Sequence, residues 1–162
     1  MTTHEERAPN EAARIVEVGA KEVSDRRAVA EAFLRTTPEA VERLSEGTRK
    51  GHPLEAARIA GIMGVKRTPD LLPFCHPIAV TGAEVLVEPD AAVGTVRVQA
   101  TVKARDRTGV EMEALTAATV AALSLYDTCK EFDRAAEITG VRLLAKSGGK
   151  SGDYRASDVS SE

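Results

Sequence analysis

Ionisable side chains occur at both ends of a long alanine-rich segment, Thr108 to Lys130. Hydrophobic spacing and the abundance of alanine predict one helix from about Val110 to Lys130. At about 100° per residue, several polar side chains share roughly a third of its circumference: Glu113, Thr116, Ser124, Asp127 and Lys130. Such an apolar helix should be largely buried, so ionisable residues are costly there unless they face a wet cavity. The stripe is either one wall of a polar site or a solvated face with an Asp127–Lys130 pair.

The same helical spacing separates two glutamates near the start of this segment. Glu111 lies about 160° around the predicted helix from Glu113. We therefore expect the two carboxylates to have different roles, with Glu113 on the side of the helix that carries Asp127.

A glycine-rich segment, KSGGKSG, follows the last predicted strand and spans residues 146–152. Glycines allow successive backbone amides to converge on an anion, and Lys146 and Lys150 supply point charges for phosphate. A nucleotide-triphosphatase loop is not indicated, because that motif needs a glycine where Leu144 stands and a helix after the loop. The segment is thus either an anion-binding loop or a flexible tail.

Three prolines punctuate the chain around Cys75 and His76: Pro69, Pro73 and Pro77. They predict an extended, stiff loop over residues 66–77 instead of a helix. His76 could serve as a proton shuttle or a hydrogen-bond donor. Metal ligation is a weaker alternative, since adjacent side chains of an extended chain point to opposite sides and no CxxC or HxxxH spacing adds ligands. No base near Cys75 in sequence would activate its thiol, and a lone cysteine such as Cys129 is usually structural.

The bulk properties of the 162 residues are those of one soluble globular domain. A net charge of −3 and a content of only two Tyr, three Phe and no Trp favour neither a nucleic-acid nor a membrane partner. The chain has no apolar run of membrane-spanning length, and its first residues lack a signal-peptide core. Two cysteines without a framework spacing are typical of reduced thiols, which predicts a cytoplasmic protein.

Hydrophobic periodicity and turn residues predict the elements that must position these groups. Residues 27–36 suit either a helix or a strand, and we favour a strand. In chain order the elements are strands at 14–18 and 27–36, helices at 37–47 and 52–65, strands at 80–87 and 95–104, the helix at 110–130 and a strand at 141–145. This order predicts an α+β, ferredoxin-like sandwich with an antiparallel sheet and helices packed on one face. A single domain at 14–153 would follow a disordered lead-in at 1–13 and precede a polar tail at 154–162.

Four segments occur in the order RKGHPLEAARIAGI, KRTPDLLPFCHP, TGVEMEALTAATVAALSLYDTCK and RLLAKSGGKSG. Together they closely resemble the MoaC family, the cyclic pyranopterin monophosphate synthases of molybdenum-cofactor biosynthesis. The resemblance covers about residues 14–153. It implies a cytoplasmic lyase with a ferredoxin-like subunit that needs no metal or organic cofactor. It also implies a homohexamer, built as a trimer of dimers, with its active site at the dimer interface.

The reaction implied by the resemblance converts 3′,8-cyclo-7,8-dihydro-GTP to cyclic pyranopterin monophosphate and releases pyrophosphate. Lys50, Asp127 and Lys130 match the family's catalytic lysines and aspartate. The positions that match substrate-contacting residues are Cys75, His76, Pro77, Glu111, Met112, Glu113, Lys146 and Arg26. Together with Lys146 and Arg26, Lys150 is expected to offset the triphosphate charge.

The expected chemistry is general acid–base catalysis by lysine, aspartate and histidine. Repulsion among clustered lysines would lower one pKa, and since Asp127 keeps Lys130 charged, Lys50 is the expected base. Two departures from the family are Glu17, where an aspartate is usual, and residues 131–138, which follow the catalytic helix and are expected to matter little.

Two other classes remain open. A non-catalytic nucleotide-phosphate-binding module would keep the glycine loop but would not need both lysines and Asp127 together. A metal-dependent phosphohydrolase would need a cluster of ligands, and the sequence offers no ligand spacing for one.

Overall fold

In the computed structural model, which describes residues 12–157, three helices cover one face of a five-stranded antiparallel sheet. The strands are β1 (Ser24–Arg35), β2 (Val80–Asp90), β3 (Thr95–Asp106), β4 (Glu137–Ser147) and β5 (Tyr154–Arg155). The helices are α1 (Pro38–Glu46), α2 (Pro53–Leu71) and α3 (Glu111–Cys129). The strand order is β2-β3-β1-β4-β5. The predicted α+β, ferredoxin-like sandwich is confirmed. Most of the predicted lead-in and the end of the predicted tail lie outside the described residues.

Small side chains on facing surfaces bring α3 close to the central strands. Alternate residues of β1 are fully buried, among them Ala28, Ala30 and Ala32, and Ala30 lies opposite Ala100 of β3. The side of α3 that meets them is also mostly alanine: Ala114, Ala117, Ala118, Ala121 and Ala122. Because neither surface carries bulky groups, the helix backbone can pack closely over the middle of the sheet.

The first helix begins and ends as its sequence predicts. Thr37 Oγ1 accepts a hydrogen bond from the Ala40 N–H at 3.2 Å, and Pro38 occupies the first turn. Gly47 ends the helix at a φ of 96°, which a glycine adopts without strain. The preference for a strand over a helix at residues 27–36 is also confirmed by β1.

The second helix runs six residues beyond its predicted end at Val65, so the expectation of an extended loop from residue 66 is wrong. Pro69 lies inside the helix, where it removes one backbone hydrogen bond. The helix nevertheless continues there: Thr68 is fully buried, and its hydroxyl donates to the Gly64 carbonyl at 2.9 Å. Earlier in α2, a Cβ at Gly61 would lie 3.1 Å from the Ala117 carbonyl, so the backbones of α2 and α3 are nearly in contact at that point. The helix ends only two residues after Pro69.

The prediction of a strand at residues 14–18 is wrong. Ile15 and Val16 are exposed and pair with no strand of the described chain. The Glu17 carboxylate accepts a hydrogen bond from the Gly19 N–H, which fixes a local turn instead. The sequence also left β5 unrecognised, although Tyr154 and Arg155 pair with the end of β4.

Truncation of a core leucine of α3 should destabilise the fold. Leu125 is fully buried, so Leu125→Ala should lower the free energy of unfolding by about 2–5 kcal/mol through lost contacts and a cavity. Leu71 is 60% exposed, and Leu71→Ala should change it by less than about 0.5 kcal/mol. Urea unfolding of both variants measures this difference. Equal losses would contradict the placement of Leu125 in the core.

Candidate functional site

Charged side chains gather at both ends of α3 and not along one wall. Asp127 and Lys130 lie at its C-terminal end, and Glu111 and Glu113 lie in its first turn. The 16 residue steps from Glu111 to Asp127 span about 24 Å of helix axis. Within one chain, the polar stripe predicted on this helix therefore cannot line a single compact pocket.

The C-terminal cluster consists of Lys50, Asp127, Lys130 and Glu131. Lys130 Nζ donates to Asp127 Oδ1 at 2.6 Å, whereas Lys50 Nζ lies 2.9 Å from Glu131 Oε1 and 3.8 Å from Asp127 Oδ2. All four side chains are exposed. A tight turn, in which Thr48 and Gly51 exchange backbone hydrogen bonds, places Lys50 beside the end of α3.

The electrostatics of the C-terminal cluster favour the charged forms of Lys50 and Asp127. The hydrogen bond that Lys50 donates to Glu131 raises the pKa of Lys50 above its ordinary value, and the hydrogen bond that Asp127 accepts from Lys130 lowers the pKa of Asp127. The predicted depression of the Lys50 pKa is therefore wrong for a single chain. The reason is Glu131, whose carboxylate lies against Lys50. A carboxylate one residue after Lys130 could have indicated an acidic partner for the lysines, but residues 131–138 are expected from the sequence to matter little.

The N-terminal cluster consists of Arg26, Glu111, Lys146, Lys150 and Ser151, which line one cavity of about 550 Å³. Lys146 Nζ lies 3.0 Å from Glu111 Oε1 and donates to Ser151 Oγ at 3.0 Å. Two main-chain carbonyls hold the Arg26 guanidinium: Nε donates to the oxygen of residue 106 at 3.3 Å, and Nη2 to that of residue 107 at 3.1 Å. Cationic groups from β1, from β4 and from the glycine-rich turn after β4 thus converge on one cavity.

The glycine-rich segment is an ordered turn between β4 and β5, so the flexible-tail interpretation is wrong. Gly148 and Gly149 have φ values of 93° and 83°. A Cβ at Gly149 would lie 1.7 Å from Arg26 Nη1. The positive φ favours glycine there, and the arginine that lies across the loop occupies the space where a side chain would start.

A third set of predicted residues surrounds Glu113. Its side chain is buried and lines a cavity of about 610 Å³ together with Pro77 and residues of α2 and β2. Burial raises the pKa of Glu113, and the charge of Glu111 adds to the effect. Cys75 and His76 are half-buried in the preceding loop. Burial, followed by the charge of Glu113, raises the pKa of the Cys75 thiol and so keeps it protonated, which disfavours a thiolate nucleophile.

The two glutamates of the first turn of α3 do lie in different surroundings, as their spacing predicts. Glu111 pairs with Lys146, whereas Glu113 is buried beside the 72–79 loop. Between them, Met112 is 41% exposed on the outer side of the helix. Glu17, outside both clusters, is exposed and bonded to its own turn.

Residues 12–157 contain no group of three or more His, Cys, Asp or Glu side chains arranged to hold a metal ion. Among the helices of the described range, none has the length and apolar character needed to cross a membrane.

The fold and these cavities define an α+β protein with two separate lysine-bearing clusters, one of them a cationic cavity closed by a glycine-rich turn. The model of the MoaC family matches residues 15–149, and the chain belongs to this family. It is 57% identical over 145 residues to the cyclic pyranopterin monophosphate synthase of Streptomyces griseus, covering 89% of this chain and 81% of the relative.

Two other relatives carry the same name. The cyclic pyranopterin monophosphate synthase of Roseiflexus sp. is 52% identical over 143 residues, which cover 88% of this chain and 90% of the relative. That of Parvibaculum lavamentivorans is 51% identical over 146 residues, which cover 90% and 91%. The similarity therefore extends over nearly the whole length of both proteins.

Neutralising the buried carboxylate should stabilise the fold in a pH-dependent way. Since the folded pKa of Glu113 is raised, ionisation costs stability as pH rises through that pKa. Glu113→Gln should therefore be more stable than the wild type at pH 7, and the gain should vanish below the ordinary glutamate pKa of 4.5. Urea unfolding across this pH range measures the difference, with exposed Glu84→Gln as the control. A Gln variant that is less stable at pH 7 would show that the carboxylate is favourably solvated.

Proposed function

We propose that this chain is a cyclic pyranopterin monophosphate synthase. It would convert 3′,8-cyclo-7,8-dihydro-GTP to cyclic pyranopterin monophosphate and release pyrophosphate, as a cytoplasmic lyase of molybdenum-cofactor biosynthesis. The names of relatives about half identical over nearly their whole length support this reaction. The structural observation that carries it is the pair of charged clusters: one suits a triphosphate and the other suits proton transfer.

The N-terminal cluster is the proposed triphosphate site. Lys146, Lys150 and Arg26 bring three cationic groups to one cavity, where they would offset phosphate charge and stabilise pyrophosphate as it leaves. The pairing of Lys146 with Glu111 and Ser151 holds its ammonium group in place before substrate arrives. Pro77 and Glu113 line the neighbouring cavity, and His76 precedes Pro77 in the loop beside it. These three residues are proposed to contact the ring system.

The C-terminal cluster is the proposed catalytic centre. The rearrangement must open an imidazole-derived ring, form a pyrazine ring and close a cyclic phosphate, and each of these steps moves protons. Lys50 and Lys130 both contact carboxylates, and Glu131 favours the ammonium form of Lys50. We therefore assign Lys50 as a proton donor and not as the base expected from the sequence. Asp127 holds Lys130 in position.

A single chain cannot unite the two clusters, because catalytic groups must lie about 3–3.5 Å from the reacting atoms and the clusters are about 24 Å apart along α3. A second copy related by a two-fold axis, with its α3 antiparallel, would bring the C-terminal cluster of one chain to the N-terminal cluster of the other. The outward stripe of α3 supports this pairing, since Met112 and Leu123 are 41% and 55% exposed. The proposed assembly is a homohexamer built from three such dimers.

Removing one lysine from each cluster should separate catalysis from binding. Lys50→Ala should retain the fold and substrate binding but lose turnover by about 10²–10⁴-fold, since a proton donor is gone. Lys146→Ala should mainly weaken binding. Conversion of purified 3′,8-cyclo-7,8-dihydro-GTP, followed by detection of the pterin product and pyrophosphate, measures both effects.

Lys103→Ala is the matched control, because this lysine is exposed on the face of β3 opposite the buried Val102 and Ala104 and lines neither cavity. A Lys50→Ala variant with wild-type turnover would remove the catalytic assignment. It would leave a non-catalytic nucleotide-phosphate-binding module, which needs only the N-terminal cluster.

A change in Glu131, the partner of Lys50, distinguishes whether Lys50 acts as an acid or as a base. Glu131 raises the pKa of Lys50, so Glu131→Gln should lower that pKa. If the ammonium form is active, the loss of kcat at alkaline pH should begin at a lower pH in this variant. Glu42→Gln, an exposed change on α1, should leave the pH–rate profile unchanged. Higher activity of Glu131→Gln at neutral pH would instead identify neutral Lys50 as a base.

A further inference from the structure

We propose that Asp106 is a positioning residue, whose carboxylate holds the segment Cys75–Pro77 against the site. This inference rests on the proposed function, in which His76 and Pro77 contact the substrate. Asp106 is the last residue of β3 and has no place among the residues matched to the family's site. Its Oδ2 accepts a hydrogen bond from the Ala79 N–H at 2.9 Å, and its Oδ1 accepts one from the Arg107 N–H at 2.7 Å.

The bond to Ala79 ties the substrate-contacting loop to a distant part of the chain. Ala79 follows Pro77 by two residues and immediately precedes β2. Two other backbone hydrogen bonds of this loop are local: Cys75 N–H to the Leu72 carbonyl at 3.2 Å and Val80 N–H to the Ile78 carbonyl at 2.9 Å. Neither of these local bonds fixes the loop relative to β3. The strand pairing of β2 with β3 begins only after the loop, at Val80 opposite Ala104, so the Asp106 bond is the contact with β3 that lies nearest to Pro77.

The same end of β3 also holds the proposed triphosphate arginine. The main-chain carbonyls of Asp106 and Arg107 accept hydrogen bonds from Arg26, while the Asp106 side chain holds Ala79. The end of β3 therefore anchors both Arg26 of the N-terminal cluster and the 72–79 loop. It holds the arginine through main-chain carbonyls and the loop through the Asp106 side chain. A change confined to the Asp106 side chain should therefore release the loop and leave the arginine in place.

Both carboxylate oxygens are needed for this arrangement. The Ala79 N–H, more than any other group, holds the pKa of Asp106 below its ordinary value, so the side chain is ionised and accepts two N–H donors. An asparagine offers one acceptor oxygen, and its NH₂ group would face a second N–H. Asp106→Asn should consequently lose one of the two bonds and the negative charge that strengthens the other, so the hold on Ala79 weakens in either orientation of the amide while the side-chain volume is preserved.

The expected effect on the reaction is a split between kcat and KM. Triphosphate contacts through Arg26, Lys146 and Lys150 remain, so KM for 3′,8-cyclo-7,8-dihydro-GTP should stay within about twofold of the wild type. Misplacement of the loop that carries His76 should lower kcat roughly tenfold. A merely structural role would instead lower the fraction of folded protein and leave the kcat of that fraction unchanged.

The position of the loop has a readout independent of activity. Cys75 lies in this loop and is half-buried, whereas Cys129 is fully buried. The rate at which iodoacetamide alkylates Cys75, measured by peptide mass spectrometry, should rise several-fold in Asp106→Asn as the loop loosens. Asp90→Asn is the matched control, because Asp90 Oδ1 likewise accepts a backbone N–H, that of Ala92, in the distant β2–β3 turn.

A second variant removes the same bond from its other side, should Asp106→Asn fail to fold. Ala79 is the central residue of the turn closed by the bond from Val80 N–H to Ile78 O, and its φ is not positive. That three-residue turn has a φ near the value proline imposes, and proline is tolerated at the start of a strand. Ala79→Pro should therefore lose the N–H donor, keep the Asp106 carboxylate and reproduce both effects.

Faster Cys75 alkylation together with a lower kcat and an unchanged KM would support the proposal. A wild-type alkylation rate in both variants would overturn the positioning role. Faster alkylation with unchanged kcat would overturn its link to the reaction. If the wild-type protein does not convert the substrate at all, the proposed function fails, while the alkylation rates still decide whether Asp106 holds the loop.

Discussion

Close packing of α3 on the alanine-rich centre of the sheet is the constraint on which the rest of the structure depends. Alanines on both surfaces leave no bulky groups between helix and sheet, and the glycines of α2 bring a second backbone against the other side of α3. The helix is therefore a rigid spacer that fixes the distance between the charged groups at its two ends. Neither end can approach the other without losing this core.

That spacer decides how the charges can be used. At one end, Lys50 and Lys130 lie against Glu131 and Asp127 in solvent, where both lysines are paired with carboxylates. At the other end, burial raises the pKa of the Glu113 carboxyl group, and cationic groups lie around the glycine-rich turn. In the proposed reaction, each end would supply half of what the substrate needs: charge for phosphate, or groups that move protons. We propose that the two ends form one site only across a pair of chains.

The sequence predicted the features that arise from local periodicity. The alternation in β3, the cap at Thr37 and the spacing of Glu111 and Glu113 each depend on neighbours within a few residues, and all appear in the structure. The errors concern contacts between distant segments. The helix α2 continues beyond its predicted end at Val65 and includes Pro69. Ile15 and Val16 pair with no neighbouring strand in the described residues, so the predicted strand does not form.

The site shows the same division. Motifs identified the lysines and Asp127, but not the partners that set their state. Glu131 follows the matched motif and reverses the expected shift of the Lys50 pKa, and Asp106 reaches the 72–79 loop from the end of a strand. Neither contact has a sequence signature, because both depend on how separate segments pack. The positions of the motif residues could thus be predicted from the sequence, whereas the contacts that set their charge state could not.

The most direct test of a site shared between two chains is to co-express Lys50→Ala and Lys146→Ala chains in equal amounts and assay them at substrate below KM. In a mixed dimer one site contains both substitutions and the other contains neither. Random pairing should therefore restore about one quarter of the wild-type activity, although each variant alone is impaired. Activity no higher than the mean of the two variants would show that each chain builds its own site and would contradict the account.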